Sequence, residues 1–186
     1  MNNYSETERK VLLEVADAAI KYGLECGKCI SLEVTNYPEN LQQKRASFVT
    51  LETNHELRGC IGTLCAHQPL VLDVAQNAFS AAFCDPRFCP LTAEEYPLLT
   101  KHISVLSIPE PMQFDSEESL LSQLRPGIDG LILSEKGCRG TFLPSVWDSL
   151  SDPQEFLQHL KMKAGLPPTY WSDTIKIERY TTEVIE

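Results

Sequence analysis

No apolar run in this chain approaches the ~18 residues needed to cross a bilayer, so a membrane span is not expected. The start, Met1-Asn2-Asn3-Tyr4-Ser5-Glu6, has neither the basic cluster nor the apolar core of a secretion signal, and a cytosolic protein is expected. Positive charge is scarce: 16 Lys and Arg stand against 26 Asp and Glu, a net charge of −10. That balance argues against nucleic acid or an anionic membrane as a main partner, while leaving room for a local basic pocket. No GxGxxG or Walker-type loop is present, so no nucleotide cofactor is indicated. Metal ligands in paired spacing are also missing. Cys26-Gly27-Lys28-Cys29 has the right gap but no second such pair, Cys60/Cys65 and Cys84/Cys89 are spaced for no common zinc site, and the four histidines are scattered. No cofactor and no metal is expected.

What the chain does have is seven cysteines, an odd number. In a reducing compartment these read as buried thiols, not a disulfide framework. The length, 186 residues, suits one domain built from two approximate halves, 1–112 and 113–186.

Turn and capping signals divide the chain. Ser5 and Glu8 form a capping box before Val11, Leu12, Val15 and Ala19, predicting a helix over about 6–22 with Gly23 as its stop. A short strand is expected around Ile30–Val34. Residues 46–53 and 57–61 form a hairpin across Asn54-His55-Glu56. The run Leu70 to Ala82 has the period of a buried helix face, and Asp85-Pro86 ends it. Thr92 to Glu95 reads as a second capping box opening a short helix, and 103–108 as a strand closed by Pro109 and Pro111. A helix from Ser116 through Leu124, a hairpin of 130–134 and 138–142, and a helix opened by Asp152 and Pro153 follow. Residues 175–185 read as one last strand.

The two hairpins resemble one another. Phe48-Val49-Thr50-Leu51, a turn and Leu57-Arg58-Gly59 match Gly130-Leu131-Ile132-Leu133, a turn and Cys138-Arg139-Gly140. Each is followed by a Pro-containing loop, an amphipathic helix and a strand, which suggests a duplicated β-β-α-β unit. A pseudo-twofold arrangement of such units would bring Arg58 and Arg139 together.

The hexapeptide Leu57-Arg58-Gly59-Cys60-Ile61-Gly62 draws most attention. Two glycines in a strand imply that a ligand, or another part of the chain, comes very close. Residues i and i+2 share a face, so Arg58 and Cys60 would point into one pocket. Cys60 reads either as a nucleophile activated by nearby cations or as a small buried hydrophobe. Arg58 and Arg139 offer planar forks for an anion beside Gly59 and Gly140, or else structural ion pairs with Asp85 or Asp129. In Asp85-Pro86-Arg87-Phe88 the carboxylate and guanidinium most simply order their own turn; an acid–base role for Asp85 needs it to line the cleft of Cys60.

The hexapeptide, together with Asn77-Ala78, Asp85-Pro86-Arg87-Phe88, Pro126-Gly127-Ile128-Asp129-Gly130, Arg139-Gly140-Thr141-Phe142-Leu143-Pro144 and Lys163-Ala164-Gly165-Leu166, resembles the AMMECR domain family over nearly the whole chain. The resemblance implies an α+β fold, two-lobed, with duplicated units sharing a mixed, barrel-like sheet, and a cleft lined by the hexapeptide. It implies two alternatives for function. One is an enzyme or enzyme subunit acting on a small anionic substrate beside Memo-like and radical SAM proteins. Cys60 and Asp85 would then be catalytic, and Arg58, Gly59, Gly62, Arg87, Arg139 and Gly140 would bind the ligand. The other is an interaction or regulatory module without catalysis. Cys84, Cys89, His102 and Ser145 depart from the family pattern, which leaves Cys60 as the one thiol that the resemblance supports.

Overall fold

The computed structural model describes residues 3–186. Helix α1 (Glu6–Cys26) opens with the expected box: the Glu8 amide donates to the Ser5 hydroxyl at 3.3 Å, and the Ser5 amide to the Glu8 carboxylate at 2.8 Å. It runs a turn further than the sequence suggests. Gly23 is buried inside it, where a Cβ would fall 2.3 Å from the Phe83 ring, and the stop is Gly27, at φ 68°. Gly23 therefore serves close helix contact, not termination. Around Ile30–Val34 no strand forms, and the segment leads into a single 3₁₀ turn, Val34–Asn36.

Strands β1 (Ser47–Thr53) and β2 (Glu56–Gly62) pair antiparallel across Asn54-His55, both at positive φ (53° and 64°). This is the two-residue turn whose twist suits a hairpin. Helix α2 (Leu70–Phe83) and strand β3 (Leu99–Leu106) follow. Thr92 and Glu95 make their reciprocal cap bonds, but Pro97 removes a backbone donor and only a 3₁₀ turn, Tyr96–Leu98, results. Next come β4 (Glu110–Pro111), α3 (Glu117–Gln123), β5 (Gly130–Glu135), β6 (Cys138–Phe142), α4 (Pro153–Lys163), β7 (Lys176–Tyr180) and β8 (Thr182–Ile185). The turn between β5 and β6, Lys136-Gly137, is again at positive φ (46° and 87°).

The strands form two separate sheets, in the orders β2-β1-β3-β8 and β4-β7-β5-β6. The fold is α+β as expected, but two sheets replace the expected single shared, mixed one: the pairings β1–β2, β1–β3, β4–β7, β5–β6 and β5–β7 are all antiparallel, and among the described residues neither sheet closes into a barrel. The three-strand arrangement β2-β1-β3 repeats as β6-β5-β7, each with its helix between the second and third strand of the unit. The expected last strand breaks at Thr181 because its halves serve different sheets, β7 beside β5 and β8 beside β3. One compact unit accordingly takes the chain up to Leu106 together with Glu183–Glu186, and the other is Ser107–Thr182.

Each unit has its own core. In the first, Val49, Leu51, Ile103 and Val105 lie with Leu12, Ile20, Val71 and Val74. In the second, Leu131, Leu133 and Ile177 lie with Phe156, Leu157 and Leu160, and Trp147 stacks on Phe156 at 3.7 Å. The equivalent glycines fix each helix to its hairpin. A Cβ on Gly59 would sit 2.1 Å from the Ala81 carbonyl oxygen of α2. One on Gly140 would sit 2.9 Å from the Ala164 amide and 3.0 Å from the Leu160 carbonyl, at the end of α4. Backbone cannot yield as a flexible side chain can, so a larger residue must push the helix off the sheet. Gly59→Ala is expected to destabilise by about 1–3 kcal/mol or more, and by more than Gly140→Ala, in urea unfolding. Wild-type stability for Gly59→Ala would contradict this packing.

Candidate functional site

Strand β2 lies at the edge of its sheet, where backbone groups lack a strand partner. The turn after α2 supplies one. The Cys60 amide donates to Asp85 Oδ2 at 2.9 Å, and Arg87 Nη2 donates to the Cys60 carbonyl at 3.1 Å. Asp85 and Arg87 are themselves joined: Arg87 Nε donates to Oδ1 at 2.9 Å, Nη2 to Oδ2 at 2.7 Å, and the Arg87 amide to Oδ1 at 3.1 Å. The Arg87 guanidinium holds the Asp85 carboxyl well below the usual carboxylate range, and the Cys60 and Arg87 amides add to this against the opposing effect of burial. Two side chains thus imitate a neighbouring strand. Asp85 orders its turn and does meet Cys60, but through the main chain.

Arg58 goes elsewhere. The register between β1 and β2 slips between Leu51/Glu52, with Leu51 opposite Gly59 and Glu52 opposite Leu57. Arg58 is the extra residue of this bulge, and a bulge re-aims its side chain. The rule that would place Arg58 beside Cys60 therefore fails. Instead, Arg58 Nε and Nη2 donate to the two oxygens of Glu95 at 2.8 and 3.1 Å, Nη2 also donates to the Cys89 carbonyl at 2.9 Å, and the guanidinium lies 5.8 Å from the Phe88 ring centroid. The Arg58 guanidinium, with help from the Thr92 amide, brings Glu95 down to about 2. The ion pair expected with Asp85 is made with Glu95.

Cys60 is partly buried, and its sulfur accepts from Thr50 Oγ1 at 3.3 Å. Thr50 pairs with Cys60 on one side and with His102 on the other. His102 is therefore two strands from Cys60, about 9–10 Å by strand spacing, and sits 3.5 Å from Glu52 and 3.2 Å from Glu186. Among the described residues no base bonds the thiol. Gly62 faces Phe48, whose ring a Cβ would approach to 2.3 Å. The room left by Gly59, Gly62 and Gly140 is thus occupied by the chain itself, the second of the two alternatives their sequence context offers.

In the other unit Arg139 is exposed on β6 and makes no ion pair among the described residues. Asp129, its expected partner, is buried and taken by Arg125, at 2.6 Å. The seven cysteines are all free, and none is fully buried, which corrects the expectation of buried thiols: Cys26, Cys65, Cys84 and Cys89 are exposed, and Cys29, Cys60 and Cys138 partly so. No cluster able to hold a metal occurs among the described residues. Sequence reasoning missed Glu95 as a site residue because its capping signal accounted for it fully. Thr50 was legible from hairpin register alone.

The AMMECR1 sequence profile matches residues 13–185. The chain belongs to the AMMECR1 family. It is 37% identical to protein MJ0810 of Methanocaldococcus jannaschii over 96% of this chain and 92% of that protein. A Thermotoga maritima relative is 36% identical, covering 94% of each chain. Among solved structures, the uncharacterized protein PH0010 of Pyrococcus horikoshii matches with a TM-score of 0.84 at 34% identity, over 97% of this chain and 91% of that one.

In this AMMECR1-family chain, Asp85 and Glu95 have carboxyls lowered below their unfolded values, near ~4. Their stabilisation is full above that range and lost as pH falls from about 5 toward 2. Arg58→Gln removes the main cause of the Glu95 shift, so its unfolding midpoint in urea should fall less steeply over that window than the wild type's. An unchanged acid slope would contradict the Arg58–Glu95 assignment.

Proposed function

We propose that this AMMECR1-family protein is a non-catalytic binding component, docking a partner protein on the end of the first sheet that holds the hexapeptide. One observation carries the reading: the charged groups around the hexapeptide are already committed inside the chain, Arg58 to Glu95 and Arg87 to Asp85. A small anion at the partly buried Arg58 would have to displace a carboxylate bound through two donors, and among the described residues Cys60 has no base to take its proton.

Docking needs exposed apolar surface on a rigid frame. Leu57 and Leu98 are 44% and 59% exposed. Both lie at the end of the sheet where Thr53 pairs with Glu56 and with Leu99. Exposed apolar groups gathered beside a fixed polar frame suit a protein partner. The family resemblance supplies the candidates, a Memo-like protein and a radical SAM protein. The competing enzyme reading rests on Cys60 as nucleophile.

The test is co-purification with a Memo-like and a radical SAM protein from the same genome. Cys60→Ser should retain the partner, whereas Leu57→Glu with Leu98→Glu should lose it while keeping its thermal midpoint. Iodoacetamide at neutral pH should modify Cys65, Cys84 and Cys89 before Cys60. Preferential modification of Cys60, with loss of a measurable turnover in Cys60→Ser, would overturn the proposal in favour of catalysis.

A further inference from the structure

The second hairpin carries a feature that the first lacks. Ser134 on β5 is paired with Arg139 on β6 and with Lys176 on β7. Directly paired residues point to the same face of a sheet, with neighbouring Cβ atoms ~4.5–5.5 Å apart. Two cations therefore flank one hydroxyl in a row across three strands. Both Arg139 and Lys176 are exposed, and neither forms an ion pair with a carboxylate among the described residues. Arg139 and Lys176 thus stand on one exposed face two strands apart, about 9–10 Å by strand spacing, close enough for their long side chains to reach one ligand.

The row lines an open cleft of about 420 Å³, whose walls also include Lys136, Thr174 and Glu135. Glu135 is the one acid of the lining, and it is occupied. Its Oε1 accepts from the hydroxyls of Tyr170 and Ser172 at 2.8 Å each and of Thr174 at 2.9 Å, and Lys136 Nζ lies 3.5 Å away. Burial raises its carboxyl, but the three hydroxyls outweigh burial and hold it at about 2. Its single negative charge sets against three positive ones, Lys136, Arg139 and Lys176, and leaves a surplus of two. In a chain of net charge −10 this surplus is local and specific to the cleft.

The geometry points to this cleft as a binding site for a tetrahedral phosphate dianion carried by a small molecule. A dianion matches the surplus charge. The Arg139 fork can take two of its oxygens, and the Lys176 ammonium and the Ser134 hydroxyl can take the others. The cleft's volume exceeds that of a bare phosphate and leaves space for the group that carries it. The equivalent row of the first unit runs through Glu52 to Leu57 and Thr100 and has no such pair of cations, so the site belongs to the second unit alone.

The test is calorimetric titration of the full chain at low salt with inorganic phosphate, glycerol 3-phosphate, a phosphoserine peptide and glycerol. Arg139→Gln and Lys176→Gln are the variants; both positions are exposed, so the fold should persist, and circular dichroism checks it. Glycerol 3-phosphate should bind saturably and glycerol should not. Each substitution should weaken binding about 10-fold or more, in line with loss of a charge-assisted contact. Inorganic phosphate binding as tightly as the ester, with the same loss in both variants, supports the site and assigns free phosphate as its occupant. Absence of saturable binding at millimolar ligand, equal binding by the variants, or binding by the peptide alone would overturn the proposal.

Discussion

The close approach of a helix backbone to a strand glycine is the constraint on which the rest depends. At Gly59 the carbonyl of Ala81 occupies the place of a side chain, and at Gly140 the end of α4 does the same. Helix and hairpin are thereby locked at a separation that no other residue permits. Once α2 is seated on β2, the turn that follows it is delivered to the open edge of the sheet. Asp85 and Arg87 can then bond the Cys60 amide and carbonyl. The edge is protected from pairing with another chain, and the hexapeptide becomes a rigid piece of frame.

This order of causes changes what the arginines are for. Arg58 and Arg139 occupy equivalent places beside equivalent glycines, yet their surroundings differ. The bulge in β2 turns Arg58 toward the loop that supplies Glu95, whereas β5 and β6 pair without a slip and leave Arg139 on the surface. One copy of the repeat spends its guanidinium on structure and the other leaves it free. The first unit thus uses this arginine to hold its fold, and the second presents it as surface charge.

Much of the architecture was legible because its signals are local. The turns at Asn54-His55 and Lys136-Gly137, the capping box at Ser5, the N-cap at Asp152 and the repeated Arg-Gly in the second strand of each hairpin all announce themselves within a few residues. What escaped depends on partners distant in sequence. Gly23 looks like a helix stop until Phe83 is seen beside it, and residues 175–185 look like one strand until two sheets claim them. A bulge adds one residue without a compositional mark, so the alternation that placed Arg58 with Cys60 broke unannounced. The cationic row was hidden likewise, because Ser134 and Lys176 meet only through pairing across 42 positions.

The central claim is that the hexapeptide is held by the chain's own charges and not kept open for a reacting ligand. Amide hydrogen exchange at Cys60 tests it most directly, since an unpaired edge amide exchanges freely and one bonded to Asp85 does not. The account predicts core-like protection of the Cys60 amide in the wild type and its loss in Asp85→Ala, with the Leu51 amide unaffected. Rapid exchange at Cys60 in the wild type would contradict it.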